Sequence, residues 1–352
     1  MRALALLHRW TGGILGLVLA VIGLSGVALV WEDAWIGVPG AGEPYRSDTA
    51  DLARATQAAY DHAEGLTRVT YAGDDFGLHM AAYADGGGAY IDQAGRVVES
   101  WSSIWGRAEL WLFDLHHYLL LGHSGENLVG GLGLVLVMFT ITGLILWWRT
   151  RKTFAFRLWP KRLSRSAIVR QHRDLGVMAS PVLLLSALTG SLMLFQPMSD
   201  VLLAPWSDGG SEKVSRDYRV GTAEHHDFAA LLASGQRAFP DAQPRRLMMP
   251  RQAGAPAILR LKQDFEWTPN GRSYAYLDPA AATLVGVADP ADASVQQVIE
   301  ETYYPLHAGK VGGLLWKLAL SLGGLALALL GMLASWSFWF RRKENRSGIA
   351  GR

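Results

Sequence analysis

Four long apolar runs, at about 11–31, 127–148, 175–196 and 311–335, constrain this 352-residue chain more than any other feature. A helix needs about 20 apolar residues to cross the roughly 30 Å hydrocarbon core of a bilayer. Each run reaches that length, so each reads as a membrane span. Two polar stretches, 32–126 and 197–310, lie between them and are long enough to fold outside lipid. The first run follows Arg2 and Arg9, as the core of a signal peptide would. It exceeds the usual signal-peptide core of about 7–15 residues and ends in Val30-Trp31-Glu32-Asp33 rather than in small residues. It therefore reads as a retained helix.

Charge supplies an orientation. Residues 1–10, 149–173 and 341–352 hold 16 of the 33 Lys and Arg but only one acid, Glu344. Cytoplasmic segments carry the positive excess, so both termini and the 149–173 loop are expected inside and the two long polar pieces outside. The basic loop then has a topological cause, and no nucleic-acid partner is expected. The chain has no cysteine. That excludes disulfides, thiolate zinc sites, iron–sulfur clusters and covalently attached haem. Metal chemistry must use His, Met, Tyr or carboxylate. No GxGxxG follows a strand, so no nicotinamide site is expected.

The chain repeats itself. His8 and Gly26 are 18 residues apart, and so are His172 and Gly190; Gly12 and Gly176 each follow their histidine by four. "AYIDQAGRVV" (89–98) resembles "AYLDPAAATLVG" (275–286), each reading as two short strands around a turn. A helical stretch precedes each, Asp51–Gly65 and Asp227–Phe239, and "RRLMMPR" and "AILRLKQ" add strands to the second piece. The expected architecture is an all-α four-helix transmembrane bundle with two α+β extracytoplasmic domains, built by internal duplication. Its order is helix 1 (1–31), outer domain (32–115), helix 2 (116–148), basic loop (149–171), helix 3 (172–196), outer domain (197–305), helix 4 (306–340) and tail (341–352).

Histidines mark the helix ends. His8 and His172 enter helices 1 and 3 from the basic, inner side, whereas His116, His117 and His307 enter helices 2 and 4 from outside. Ionisable groups in a span are costly and face the bundle interior. Two imidazoles on facing helices can clamp one haem iron, and glycines beside all four positions would let a flat ring approach the backbone. A metal or proton path and plain helix packing are the other readings of the same pattern. On helix 2, neighbours point roughly 100° apart, so His116 and His117 cannot both serve. Leu115-His116 matches Leu7-His8 and Leu306-His307, which favours His116 over His117, with His123 a weaker candidate.

"LHRWTGGILGL", "LHHYLLLGHSGENLVG", "TGLILWW", "QHRDLGVMASPVLLLSALTG" and "PLHAGKVGG" together resemble the PepSY-associated transmembrane proteins, and the two strand pairs look like the ends of PepSY domains. That family of bacterial inner-membrane proteins includes ferric-siderophore reductases. The resemblance covers nearly the whole chain. It implies two non-covalent b-type haems with bis-histidine ligation, His8 and His172 holding the inner one and His116 and His307 the outer. It also implies electron transfer from a cytoplasmic reductant or quinol to a ferric siderophore in the periplasm. His116 to Gly143 is 27 residues but His307 to Gly331 is 24, a departure from the repeat.

Two rivals use other chemistry. PepSY domains also occur in peptidase inhibitors, so the outer domains could form a binding or regulatory protein without redox activity. A metal permease would want acidic or polar groups through the membrane, where the spans offer only Ser25, Thr140, Thr142, Ser186, Thr189 and Ser321, with Lys317 nearer the outer end, a poor ion path. Trp101, Trp105, Trp111, Tyr303 and Tyr304 read as an interfacial belt or a docking surface. Met248-Met249 read as strand core and His225-His226 as a helix start. His62 and His79 have no evident partner.

Overall fold

The computed structural model describes residues 1–207, 218, 220–222 and 225–339; the expected tail, 341–352, lies outside the described residues. In chain order the helices are α1 (Arg2–Val30), α2 (Glu32–Trp35), α3 (Thr49–His62), α4 (Ala108–Tyr118), α5 (His123–Trp148), α6 (Arg165–Leu194), α7 (Gln196–Leu203), α8 (Phe228–Gln236), α9 (Val295–His307) and α10 (Gly313–Trp339). The strands are β1 (Leu66–Thr70), β2 (His79–Tyr83), β3 (Gly88–Ile91), β4 (Val97–Trp101), β5 (Gln243–Met248), β6 (Ala257–Lys262), β7 (Ser273–Asp278) and β8 (Thr283–Ala288). The chain forms two compact units. One is residues 1–31, 112–199 and 306 onward; the other is 32–111 and 200–305.

In the first unit α1, α5, α6 and α10 are each long and apolar enough to cross a membrane. Helix α1 packs chiefly on α10, α5 on α6, and α10 also on α6. Lipid tails are as apolar as leucine, so such helices associate through close packing and not through the hydrophobic effect. Glycine makes it possible here. A Cβ added at Gly16 would lie 2.6 Å from the Gly331 carbonyl oxygen, and one at Gly23 would lie 2.8 Å from that of Gly324.

The helix starts differ from the sequence reading. Helices α1 and α6 begin at Arg2 and Arg165, so His8 and His172 sit about two turns inside them rather than at their ends. Helices 2 and 4 do not run unbroken from 116 and 306. Helix α4 stops at Tyr118, and Leu119, Leu120 and Gly122 take φ of 51°, 60° and 59° before α5 starts. Helix α9 stops at His307, followed by Gly309 and Gly312 at φ of 69° and 72°. Left-handed residues cannot continue a right-handed helix. His116 and His307 therefore lie in the last turn of a short helix just ahead of a long one.

The second unit corrects the expectation of two separate α+β domains. Its strands form one eight-stranded antiparallel sheet in the order β4-β3-β2-β1-β5-β6-β7-β8. Each half is a four-stranded meander whose first strand would be an open edge. Pairing β1 with β5, through Arg68–Met248, Val69–Leu247 and Thr70–Arg246, closes both edges at once. Helices α3 and α8 pack on each other, and their buried side chains join one face of the sheet in a core with Leu52, Val69, Ile91, Leu231, Leu247, Leu259 and Leu277. Asp48 and Asp227 cap the two helices by accepting from Ala50 N–H and Ala230 N–H. The Asp shared by "AYIDQAGRVV" and "AYLDPAAATLVG", Asp92 and Asp278, also has a local cause. Asp92 accepts from the N–H groups of Ala94 and Arg96, and Asp278 from those of Ala280 and Ala281, fixing the two hairpin turns.

Candidate functional site

The helical unit brings the four histidines together in two pairs. His8 of α1 and His172 of α6 have ring centroids 6.1 Å apart. His116 of α4 and His307 of α9 also have theirs 6.1 Å apart. The ring planes are crossed by 90° in the first pair and 52° in the second.

His8, His116 and His307 are each held by a neighbouring helix. His116 Nδ1 lies 3.1 Å from the Ile22 carbonyl and 3.0 Å from Ser25 Oγ; His307 Nδ1 lies 2.9 Å from the Ser186 carbonyl and 3.4 Å from Thr189 Oγ1. Ile22 and Ser25 follow His8 by 14 and 17 residues, as Ser186 and Thr189 follow His172. A carbonyl can only accept, so Nδ1 carries the proton in both rings. His8 Nδ1 lies 2.8 Å from Thr142 Oγ1, whose own proton goes to the Met138 carbonyl at 2.7 Å. Nδ1 is thus the donor there too. The Leu330 backbone lies beside the His172 ring. Thr142 and Leu330 each precede the matching glycines Gly143 and Gly331 by one residue. The three-residue departure in the repeat therefore falls between each outer histidine and these positions.

In His8, His116 and His307 the Nε2 lone pair is free to bind a metal. Fixing one imidazole nitrogen by hydrogen bond so that the other can ligate is the usual outer-shell device of metal sites. The spacing fits as well. An imidazole nitrogen binds a transition metal at about 2 Å and the ring centroid lies about 1.1 Å beyond, so two imidazoles across one ion would have centroids roughly 6.2 Å apart. Among the described residues no group of three or more His, Cys, Asp or Glu is arranged to hold a metal ion. Either pair supplies only two ligands, so a metal there needs its remaining ligands from a group it brings with it. Haem iron meets that condition.

A cavity of about 730 Å³ opens beside the inner pair, lined by His8, His172, Phe139, Gly12, Gly143 and Gly176 among mainly apolar groups. Its volume lies in the range of small-molecule and cofactor sites. Arg2, Arg9 and Arg165 also line it, and no carboxylate among the described residues pairs with them. An apolar slot with a histidine pair and a cationic rim suits a flat apolar ring that carries carboxylates.

The outer pair is set against glycine. A Cβ added at Gly26 would lie 3.0 Å from His116 Cε1, and one at Gly190 would lie 2.8 Å from His307 Cε1. The glycines spaced 18 residues from the inner histidines thus make room for the outer ones. His117 turns elsewhere. It stacks on Phe113 with centroids 5.3 Å apart, and its Nε2 lies 3.9 Å from Glu126. His123 is almost fully exposed and meets the same Glu126 at 3.1 Å. His62, His225 and His226 belong to the sheet unit, where His226 packs on Tyr60 and Phe228.

Several residues escape a sequence reading. Ser25, Thr142, Ser186 and Thr189 look there like a poor ion path; in the fold they orient imidazoles. Asp174, two residues after His172, is fully buried and paired with Arg157 and Arg173. Arg173 also binds the Thr153 carbonyl at 2.7 Å, so the basic 151–157 segment is tied to α6 beside the inner pair. His79 is fully buried in the sheet unit, with Nδ1 accepting from Ala72 N–H at 3.1 Å. Burial lowers its pKa from 6.5 to about 4.

A family model described as PepSY-associated TM region matches residues 5–342. No curated protein was found to match the chain.

Proposed function

The chain belongs to the PepSY-associated transmembrane-region family, and from that premise we propose that it is a di-haem b electron-transfer protein of the bacterial inner membrane that reduces ferric siderophores in the periplasm. In this reading both termini are cytoplasmic, the sheet unit is periplasmic, and a cytoplasmic reductant or the quinol pool supplies the electrons. The observation that carries it is the pair of histidine pairs, each at 6.1 Å and each anchored by a neighbouring helix.

His8 and His172 would hold the inner haem, and His116 and His307 the outer one. Bound there, haem supplies a one-electron ferric/ferrous couple whose potential depends on axial ligation, hydrogen bonding and burial. The chain's own contribution is to set these. Thr142, Ile22, Ser25 and Ser186 hold the imidazoles neutral at Nε2 and fix the ring planes. Arg2, Arg9 and Arg165 offer cationic partners to carboxylates at the mouth of the inner cavity. With His8 and His172, and His116 and His307, all committed to holding haem, the protein would be suited to passing electrons rather than to binding the chelate's iron at the haem.

The test is an absorption spectrum of the detergent-purified protein, oxidised and dithionite-reduced, with haem counted per chain. Two low-spin b-type haems are expected, followed by reduction of a ferric siderophore by the reduced protein. A protein that stays colourless after haem supplementation would overturn the reading.

A further inference from the structure

The sheet unit carries an in-register row that the helical site does not explain. Across the seam between its two halves, Thr70 of β1 stands opposite Arg246 of β5, Arg246 opposite Arg260 of β6, and Arg260 opposite Tyr274 of β7. The adjacent row, Val69, Leu247, Leu259 and Ala275, is fully buried in the core. Strand alternation therefore puts the arginine row on the opposite face. Arg68 is two residues from Thr70 on that same face and is exposed.

Like charges directly opposite on neighbouring strands are destabilising, and both arginines are only half-exposed. Burial together with Arg68 and Arg260 pushes the Arg246 pKa down to about 10. Glu266 and Glu301 act on Arg260, but Glu266 is occupied by the N–H groups of Gln263 and Arg272. The guanidiniums are nonetheless held in place. Arg246 Nε donates to Thr70 Oγ1 at 3.0 Å. Arg260 donates through Nε and a terminal amine to the Gly271 carbonyl at 3.0 and 2.6 Å and lies over the Tyr274 ring at 5.5 Å. The terminal amines of Arg246 have no hydrogen-bond partner among the described residues. Violations of a local rule concentrate at functional sites, and fixed guanidinium forks match carboxylates in geometry.

We infer that Arg246 and Arg260, with Arg68 beside them, form an oxyanion site that receives the carboxylates of a ferric chelate, so that the substrates of this protein are net-anionic chelates. The inference rests on the reductase reading for the identity of the ligand. Its test does not, because gallium(III) replaces iron(III) without undergoing reduction. Binding of gallium(III) citrate to the full-length protein in detergent is measured by titration calorimetry at low and high salt. The wild type is expected to bind, at least tenfold more weakly in high salt. Arg246→Gln with Arg260→Gln is expected to lose at least tenfold in affinity. Arg246→Lys with Arg260→Lys should fold and keep the charge while losing the fork, giving an intermediate affinity. The cationic gallium complex of desferrioxamine B is expected to bind at least tenfold more weakly than the citrate complex. Equal affinities in the wild type and the Gln variant, or a preference for the cationic complex, would overturn the site. Binding as expected by a protein without haem would leave the site standing and remove the reductase reading instead.

Discussion

The inner and outer histidine pairs have the same centroid spacing but reach it by different means. His8 and His172 sit inside unbroken helices, and His8 is held by one side-chain hydroxyl, Thr142. His116 and His307 sit at the ends of short helices and are held by backbone carbonyls, Ile22 and Ser186. The inner pair opens on a cavity, whereas the outer rings press against Gly26 and Gly190. The inner site thus has room beside its rings, whereas the outer rings are packed where only glycine fits.

The largest test removes a ligand. His172→Ala and His116→Ala are each expected to lower the haem count by one per chain, while His117→Ala leaves it unchanged; pyridine haemochrome assays decide this. Loss of haem in His117→Ala with retention in His116→Ala would reverse the outer assignment.

Steric tests separate the two sites more finely. Gly190→Ala would put a methyl 2.8 Å from His307 Cε1 and should strip the outer haem, whereas at Gly143 the nearest His8 atom is 3.6 Å away, an ordinary contact. Gly143→Ala should therefore leave the His8 ring and the outer haem in place. Equal losses in the two variants would erase the distinction.

Hydrogen-bond tests come next. Thr142→Val removes the Nδ1 partner that His8 has among the described residues and should weaken inner-haem affinity by about tenfold or more. Ser25→Ala leaves the Ile22 carbonyl on His116, so a loss below about threefold is expected. Haem titration of the apo-variants measures both.

The smallest effect on haem, none, is expected from His79, the buried histidine outside the pairs. Its folded pKa, about 4, lies below the ordinary 6.5, so the unfolded chain binds the extra proton. Stability from this group is complete above about pH 6.5 and is lost as pH falls toward 4, by roughly 3 kcal/mol at most. His79→Asn keeps an acceptor for Ala72 N–H and should flatten that fall. Hydrogen exchange of the β1–β3 amides between pH 7 and 4 reads it; an unchanged slope would show that other groups set the acid limit.

Much of the helical unit is legible in the sequence because its solvent is uniform. A run of apolar residues long enough for a bilayer is a helix wherever it occurs, and the spacing of His8 with Gly26 and of His172 with Gly190 exposes the repeat. The histidines are also visible as candidates, since an ionisable group in such a run is costly. The breaks after Tyr118 and His307 are harder to read. Apolar Leu119 and Leu120 give no warning of left-handed backbone, because their conformation is imposed by the junction of two helices.

The chain's sequence by itself determined four spans, the charge asymmetry around them, the absence of thiol chemistry, the paired hairpins and the short list of histidines. These follow from local composition and period. Only the tertiary structure decided that the two outer segments share one sheet, since a strand's partner is chosen among all available edges and not by its own pattern. The fold likewise decided that His307 meets His116 while His117 turns to Phe113 and Glu126, and that Thr142 and the Ile22 carbonyl fix the imidazole tautomers. Those are matters of rotation about a helix axis and of contacts more than 90 residues apart in the chain, as between Ile22 and His116, and no local pattern encodes them.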